Sequence, residues 1–179
     1  MRYKNVGILG TGSYLPLEII TNHDIEKKIK TTHEWIKFKL GIDERRVVIN
    51  ELPSDMGYYA AVSALKSANL TIEDMDLIVV ATSSPEQISP STSCIIHNKF
   101  NIKKNIPAFD INAVCSGFVY SVNLFSPLIS FGVYKTVLII DTEAYSKVTN
   151  WEDQHSVFFG DGAGAVVIGP STDGWMSFE

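Results

Sequence analysis

Few side chains here can do chemistry alone. The 179 residues hold two cysteines and four histidines. Cys94 and Cys115 stand too far apart to form a ligand pair, and no cluster has metal-site spacing, so no metal is expected. A cytosolic chain would keep both thiols reduced. Positive charge is scarce as well. Lys and Arg total 15 against 20 Asp and Glu, a formal net charge of −5. No basic run is present, which excludes a nucleic-acid or membrane-surface partner. Residues 1–5 lead into a short strand, not into the apolar region of a signal peptide. Residues 111–134 carry no charge, a length that could span a bilayer. Asn112, Ser116, Asn123, Ser126, Pro127 and Ser130 interrupt that stretch, so it reads as a central helix enclosed by protein. There is no internal repeat and no low-complexity segment. The expectation is one cytoplasmic α/β unit, large enough to bury a good core.

Strands and helices alternate along the chain. Residues 6–10 read as a strand. Thr21-Asn22-His23-Asp24 and Thr31-Thr32-His33-Glu34 each fit a capping box, so two short helices are expected there. Residues 46–49 form a short extended piece. Ser54 can cap a helix whose apolar face is Tyr58, Ala61, Val62, Leu65 and Ala68. A fully apolar strand follows at 77–81, then a helix at 90–100 with Pro in its first turn. Strand 106–111, helix 115–131, strand 136–141 and strand 164–169 complete the series. Pro127 should kink the last helix. Apolar, β-branched strands separated by helices imply a mostly parallel sheet covered on both faces. The run Gly160-Asp161-Gly162-Ala163-Gly164-Ala165 is not a phosphate loop, because a strand follows it where a helix N-terminus is required. Its glycines are expected to make tight turns. The earlier Gly10-Thr11-Gly12 lacks the third glycine and the helix.

Cys115 is the most informative residue. It stands where the strand ending near Ile111 turns into a helix, so free N–H groups and the positive helix end converge on it and favour thiolate. Gly117 lets another chain or a substrate approach the first turn. A thiol so placed is a candidate nucleophile for acyl transfer. A small packed cysteine is the commoner fate of a lone Cys, and it is the reading assigned to Cys94.

The segment Phe109-Asp110-Ile111-Asn112-Ala113-Val114-Cys115-Ser116-Gly117-Phe118 resembles the nucleophile motif of the β-ketoacyl-ACP synthase III family. Five further motifs resemble that family in the same order. They are Gly10-Thr11-Gly12-Ser13-Tyr14-Leu15-Pro16, Glu34-Trp35-Ile36 with Gly41-Ile42-Asp43-Glu44-Arg45, Leu77-Ile78-Val79-Val80-Ala81-Thr82, Pro90-Ser91 with Pro107-Ala108-Phe109-Asp110, and Phe159-Gly160-Asp161-Gly162-Ala163-Gly164-Ala165. The resemblance implies one βαβαβαββ half of a thiolase-like fold, a mostly parallel mixed sheet over residues 1–179. It also implies that the C-terminal half lies outside this chain.

The resemblance further implies a chemistry. Cys115 takes an acyl group as a thioester, and its backbone N–H joins an oxyanion hole. The acyl group then condenses with malonyl-ACP in fatty-acid or related polyketide synthesis. The assisting His and Asn belong to the second half, so His23, His33, His97 and His155 are left to capping and surface roles. No cofactor is bound permanently; a coenzyme A thioester and phosphopantetheine-ACP are substrates. Trp35 matches the tryptophan that stacks on adenine, Lys39 stands where the family has an arginine, and Thr31 matches a threonine near the nucleotide. A second family arginine falls on Ser146, beside Lys147. Ser89 matches the residue that closes a neighbour's acyl tunnel, with Ile88 or Phe125 as alternatives. Implied partners are an acyl-CoA or acyl-ACP donor, acyl carrier protein, and a homodimer formed through the edge strand at 107–111 or a second-half chain. Two other readings stay open at this point: a non-catalytic half used in dimerisation or assembly, and an acyltransferase to oxygen or nitrogen.

Overall fold

The computed structural model describes residues 5–172, so the lead-in 1–4 and the end of the expected unit, 173–179, lie outside the described residues. The elements run β1 (Val6–Tyr14), β2 (Glu18–Thr21), α1 (Asn22–Glu26), α2 (His33–Leu40), β3 (Glu44–Val47), α3 (Pro53–Ser67) and β4 (Leu77–Ala81). Then come α4 (Thr92–Lys99), β5 (Ala108–Ile111), α5 (Gly117–Ser130), β6 (Val137–Ala144) and β7 (Asp161–Pro170). Five strands form one sheet in the order β1-β7-β6-β4-β5, and β2 pairs with β3 apart from it. β4 is parallel to β5 and β6, while β7 is antiparallel to β6 and β1. Four strands therefore share one direction and β7 alone opposes them, the mostly parallel mixed sheet that the sequence implies.

Strand periodicity divides the core. Every residue of β4 is buried, as a central strand covered on both faces requires. Ile78, Val80, Leu138 and Ile140 face α3 and α4, where they meet Met56, Ala60, Ala64 and Ile96. Their neighbours Leu77, Val79, Val137 and Ile139 face α5 through Val122, Phe125 and Ile129. A third cluster, Ile25, Ile29, Ile36 and Val157, seats α1 and α2. The far side of α5 is different, since Val119, Tyr120 and Leu124 are exposed.

Several boundaries depart from expectation. The short strand β2 has no counterpart in the sequence reading, because its four residues, none of them buried, gain their pairing only from β3. Helix α3 starts at Pro53 with Leu52 as its N-cap residue, and the Asp55 carboxylate returns to the Leu52 N–H at 3.0 Å. Ser54 does not cap it: its N–H and hydroxyl both donate to Glu86, each at 3.0 Å. Val62 is exposed, and Ala60 and Ala64 take the buried stripe instead. Helix α4 begins at Thr92 with Ser91 as cap, so Pro90 precedes the helix. From Asp161 on, the glycine-rich run lies inside β7, paired with β6 throughout and with β1 as well from Ala163, and makes no turn there.

Glycine is essential where β1 crosses α3. A Cβ on Gly12 would stand 2.3 Å from Ala60 O, and one on Gly10 would stand 2.4 Å from Ala68 N. Both obstacles are backbone atoms, so neither can swing aside. Gly12→Ala is expected to cost about 3 kcal/mol through overpacking, measured as a lowered urea midpoint. A variant as stable as the parent would show that strand and helix can separate freely.

Candidate active site

Cys115 is held by a break in regular structure. After β5 ends at Ile111, a 3₁₀ turn at Val114–Ser116 leads into α5. The expected helix 115–131 thus begins two residues later, with the thiol in the tight turn that feeds it. Val114 has φ +50°, a left-handed conformation that costs a β-branched residue about 1–3 kcal/mol. Cys115 itself is exposed. Gly117 presses on β4, where an added Cβ would meet the Ala81 Cβ at 2.8 Å. The first turn of α5 thereby lies against the carboxyl end of a parallel strand, the usual position for sites in open α/β sheets.

Two carboxylates of β6 underlie this turn. Asp141 has its Oδ2 3.9 Å from where a Gly117 Cβ would stand, and burial, helped by the charge of Glu143, pushes its pKa up to about 6. Glu143 shares its face of the strand. It accepts the Ser83 N–H and hydroxyl at 2.8 Å each and the Ser84 N–H at 2.9 Å. The Ser84 hydroxyl donates to it as well. These bonds fix the loop after β4 to β6. An open apolar groove of about 720 Å³ runs along α5, lined by Ile111, Tyr120, Asn123, Leu124, Pro127 and Leu128.

A second cavity, about 320 Å³, is lined by Ile29, Lys30, Thr31, Thr32, Trp35 and Gln154. It shares no lining residue with the groove. Trp35 is 48% exposed on it. Thr32 caps α2, with its Oγ1 accepting the Trp35 N–H at 3.1 Å. Thr31 is therefore not the cap that its motif predicts. Glu26 of α1 takes the His33 N–H and so moves the helix start on by one residue. Freed from capping, the Thr31 hydroxyl is buried without a hydrogen-bond partner.

Arg45 holds the two walls of this cavity together. Its Nε and Nη2 donate to Val157 O at 3.1 and 2.7 Å, and its Nη1 donates to Asn22 Oδ1 at 2.5 Å. Asn22 donates to Ile42 O at 2.8 Å and meets His33 Nδ1 at 3.3 Å. Gln154 begins the 3₁₀ turn that contains Val157. The buried guanidinium thus ties that turn to α1 and α2, and burial pulls its pKa down.

Other expected site residues lie apart. Lys39 sits on the last turn of α2 with its Nζ 5.3 Å above the Phe38 ring, and it does not line the cavity. Ser146 donates its N–H and hydroxyl to Asp161, and Lys147 reaches Ile49 O at 2.9 Å, so neither lines it. Lys30 and Gln154 do, although no motif marks them. Ser89 is exposed in the loop before α4, next to Ile88, which is 97% exposed. Phe125 is buried against Phe109. His23 and His33 stack at 4.8 Å, and His155 pairs with Asp153. Cys94, read as a packing residue, is exposed, with its Sγ 3.9 Å from Ala108 O. Helix α4 turns it toward the sheet edge, where no strand covers β5 among the described residues. Among the described residues no three His, Cys, Asp or Glu side chains converge as metal ligands do, and no helix is long and apolar enough to cross a membrane.

Because both cysteines are exposed, their relative rates report chemistry more than access. Iodoacetamide at neutral pH is expected to label Cys115 roughly fivefold faster than Cys94. Peptide mass spectrometry resolves the two, and equal or reversed rates would contradict the assignment of Cys115.

Comparison with known proteins gives one answer across the whole chain. A family profile described as 3-Oxoacyl-[acyl-carrier-protein (ACP)] synthase III matches residues 109–179, a span that contains Cys115. The β-ketoacyl-[acyl-carrier-protein] synthase III of Clostridium acetobutylicum is 48% identical over 92% of this chain and 51% of its own length. That of Oceanobacillus iheyensis is 47% identical over 98% of this chain and 57% of its own. Among solved structures, 3-oxoacyl-[acyl-carrier-protein] synthase III from Aquifex aeolicus superposes with a TM-score of 0.89 at 44% identity, covering 94% of this chain and 55% of that one. The priming β-ketosynthase of the R1128 polyketide pathway also gives 0.89, at 32% identity over 97% of this chain and 52% of that one. The chain spans about half the length of the curated relatives it matches. With the fold, the nucleophile turn and these relatives in agreement, the chain belongs to the β-ketoacyl-[acyl-carrier-protein] synthase III family.

Proposed function

We propose that this chain is the nucleophile-bearing, N-terminal half of a condensing acyltransferase of the 3-oxoacyl-ACP synthase III type. The observation that carries the reading is Cys115, exposed on a strained turn at the N-terminus of α5. In this reading Cys115 Sγ attacks the carbonyl carbon of an acyl-CoA or acyl-ACP thioester. The negative oxygen that forms is met by main-chain N–H groups of the turn. The C–S bond to the donor breaks, the donor thiol leaves with a proton, and the acyl group remains on Cys115. Malonyl-ACP then loses carbon dioxide, and its carbanion takes the acyl group and frees the thiol. The His and Asn that assist this second stage come from a second half of the fold. That half, on this chain or on another, covers Val119, Tyr120 and Leu124, which the described residues leave exposed.

The Trp35 cavity takes the nucleotide end of coenzyme A. Trp35 offers a face for adenine, Lys30 offers charge for phosphate, and the Thr31 hydroxyl has an unmet hydrogen bond to give. Lys39 over Phe38 falls outside this set. Ser89 and Ile88, on their exposed loop, reach a partner protomer's acyl tunnel in a dimer formed through β5. Acyl carrier protein delivers the extender, and the setting is the cytoplasm.

Labelled acetyl-CoA should leave a hydroxylamine-labile acyl group on the protein. Cys115→Ser should abolish it, and Cys94→Ser should leave it intact. Carbon dioxide should be released from malonyl-ACP only when a second half bearing His and Asn is present. Label that survives Cys115→Ser would sink the proposal.

Thr31→Val tests the nucleotide cavity by moving two quantities in opposite directions. It removes a buried, unsatisfied hydroxyl, so the fold should keep or gain stability. It also removes a donor to the ligand, so coenzyme A should bind about 1 kcal/mol more weakly in calorimetry. Unchanged affinity would take Thr31 out of the site.

A further inference from the structure

The turn that carries Gln154 has few fixed attachments. It lies in the segment between β6 and β7, and its own bonds, Ser156 N–H to Asp153 O and Phe159 N–H to Ser156 O, are local. Val157 packs with Ile25, Ile29 and Ile36, and Lys28 Nζ stands 5.6 Å over the Trp151 ring. Apolar contact holds a segment close without fixing its direction. Direction comes from Arg45 of β3, whose Nε and Nη2 both donate to Val157 O, at 3.1 and 2.7 Å. Among the described residues no other hydrogen bond joins residues 154–158 to α1, α2 or β3.

The other end of the guanidinium is committed as well. Its Nη1 donates to Asn22 Oδ1 at 2.5 Å. A guanidinium only donates, so the Asn22 oxygen is engaged and its nitrogen faces Ile42 O at 2.8 Å and His33 Nδ1 at 3.3 Å. His33 follows Thr31 and Thr32 and opens α2, the helix of Trp35. One line of bonds thus runs from the Gln154 turn to the first turn of α2. Asn22 is fully buried and Arg45 is 4% exposed, and neither lines the cavity. Backbone closes over the arrangement: a Cβ on Gly160 would stand 3.2 Å from the Arg45 Cβ.

We propose that Arg45 is a positioning residue for coenzyme A: without touching the ligand, it holds the Gln154 wall of the cavity to the Trp35 wall, so that a nucleotide stacked on the indole meets the Gln154 amide. The proposal rests on the reading of this cavity as the nucleotide site. Gln154 presents a donor and an acceptor in one plane, the pattern that an adenine edge matches. Among the described residues that line the cavity none is a carboxylate, so no lining charge opposes the phosphates that Lys30 attracts. A planar amide recognises a base only if it stands still, and its turn has no directional tie to α1, α2 or β3 but Arg45.

The test is a double-mutant cycle on calorimetric binding of adenosine 3′,5′-bisphosphate, a nucleotide fragment of coenzyme A. Gln154→Ala should weaken binding about fivefold, the loss of one neutral hydrogen bond. Arg45→Lys keeps the charge and loses the fork, and alone it should weaken binding by a similar factor. In the Gln154→Ala background it should cost less than about twofold, because the group it positioned is gone. A merely structural Arg45 would lower affinity by the same factor in both backgrounds, and that result overturns the proposal. The unaltered protein supplies a second measurement. If binding requires the bond from Arg45 Nε to Val157 O, exchange of that Nε proton should slow about tenfold at a ligand concentration ten times Kd. An unchanged exchange rate would overturn the proposal without recourse to any variant. Trp35→Ala tests the underlying reading. If it leaves binding unchanged, the cavity is not the nucleotide site, and the positioning role falls with it. If it weakens binding while Arg45→Lys costs the same in both backgrounds, the site stands and the positioning role alone falls.

Discussion

Backbone contact between α5 and β4 at Gly117 is the constraint on which the nucleophile depends. With any side chain there, α5 would stand off from Ala81. The link from β5 could then be less abrupt, and Val114 would not be driven to positive φ. The thiol would sit further into a regular helix, with its N–H spent on the helix ladder. Close approach thus fixes three things together: the strain before Cys115, the tight turn that holds it, and the nearness of the Asp141 carboxylate to Gly117. The small residues Ala81, Gly117 and Gly164 leave room for that carboxylate. The cost in conformational strain is met by the apolar packing of Val122, Phe125 and Ile129 on the sheet.

The nucleotide cavity is built on another principle. Its walls come from segments far apart in the chain, and a buried cation joins them. Arg45 gives its fork to Val157 O and its remaining arm to Asn22, which passes the connection to Ile42 and His33. Such a centre is stable only while every donor is satisfied. A lysine could not reproduce the fork. Rigidity at the cavity thus comes from hydrogen bonding, whereas at Cys115 it comes from packing.

Features that depend on neighbours in sequence were legible before the fold was known. β4 announces itself with five consecutive apolar residues, and Cys115 with a strand running into an uncharged helix. Features decided by distant partners were not. Thr31 with Glu34 satisfies the capping-box pattern, yet Thr32 takes the cap, while Glu26 reaches across from α1 to the His33 N–H. The glycines of β7 have the composition of turns, but pairing with β1 and β6 extends them. Cys94 lies in an apolar segment, yet its helix faces an open sheet edge. Lys30 and Gln154 line one cavity from segments far apart in the chain, which Arg45 helps tie together. Asp141 closes the apolar run Val137 to Ile140 and reads as the end of a strand; its relation to α5 exists only in three dimensions.

The single reversed strand also shapes how the molecule comes into being. Among the described residues β1 has no sheet neighbour except β7, and Val6 pairs with Pro170. During synthesis the first strand has α3 to lean on but no hydrogen-bonding partner until β7 has been made. At ordinary translation speeds that interval is on the order of ten seconds. The parallel core of β4, β5 and β6 is complete earlier, because its partners are closer in sequence. Ribosome-bound chains therefore hold an unpaired strand edge beside a nearly finished core, the kind of species that chaperones retain.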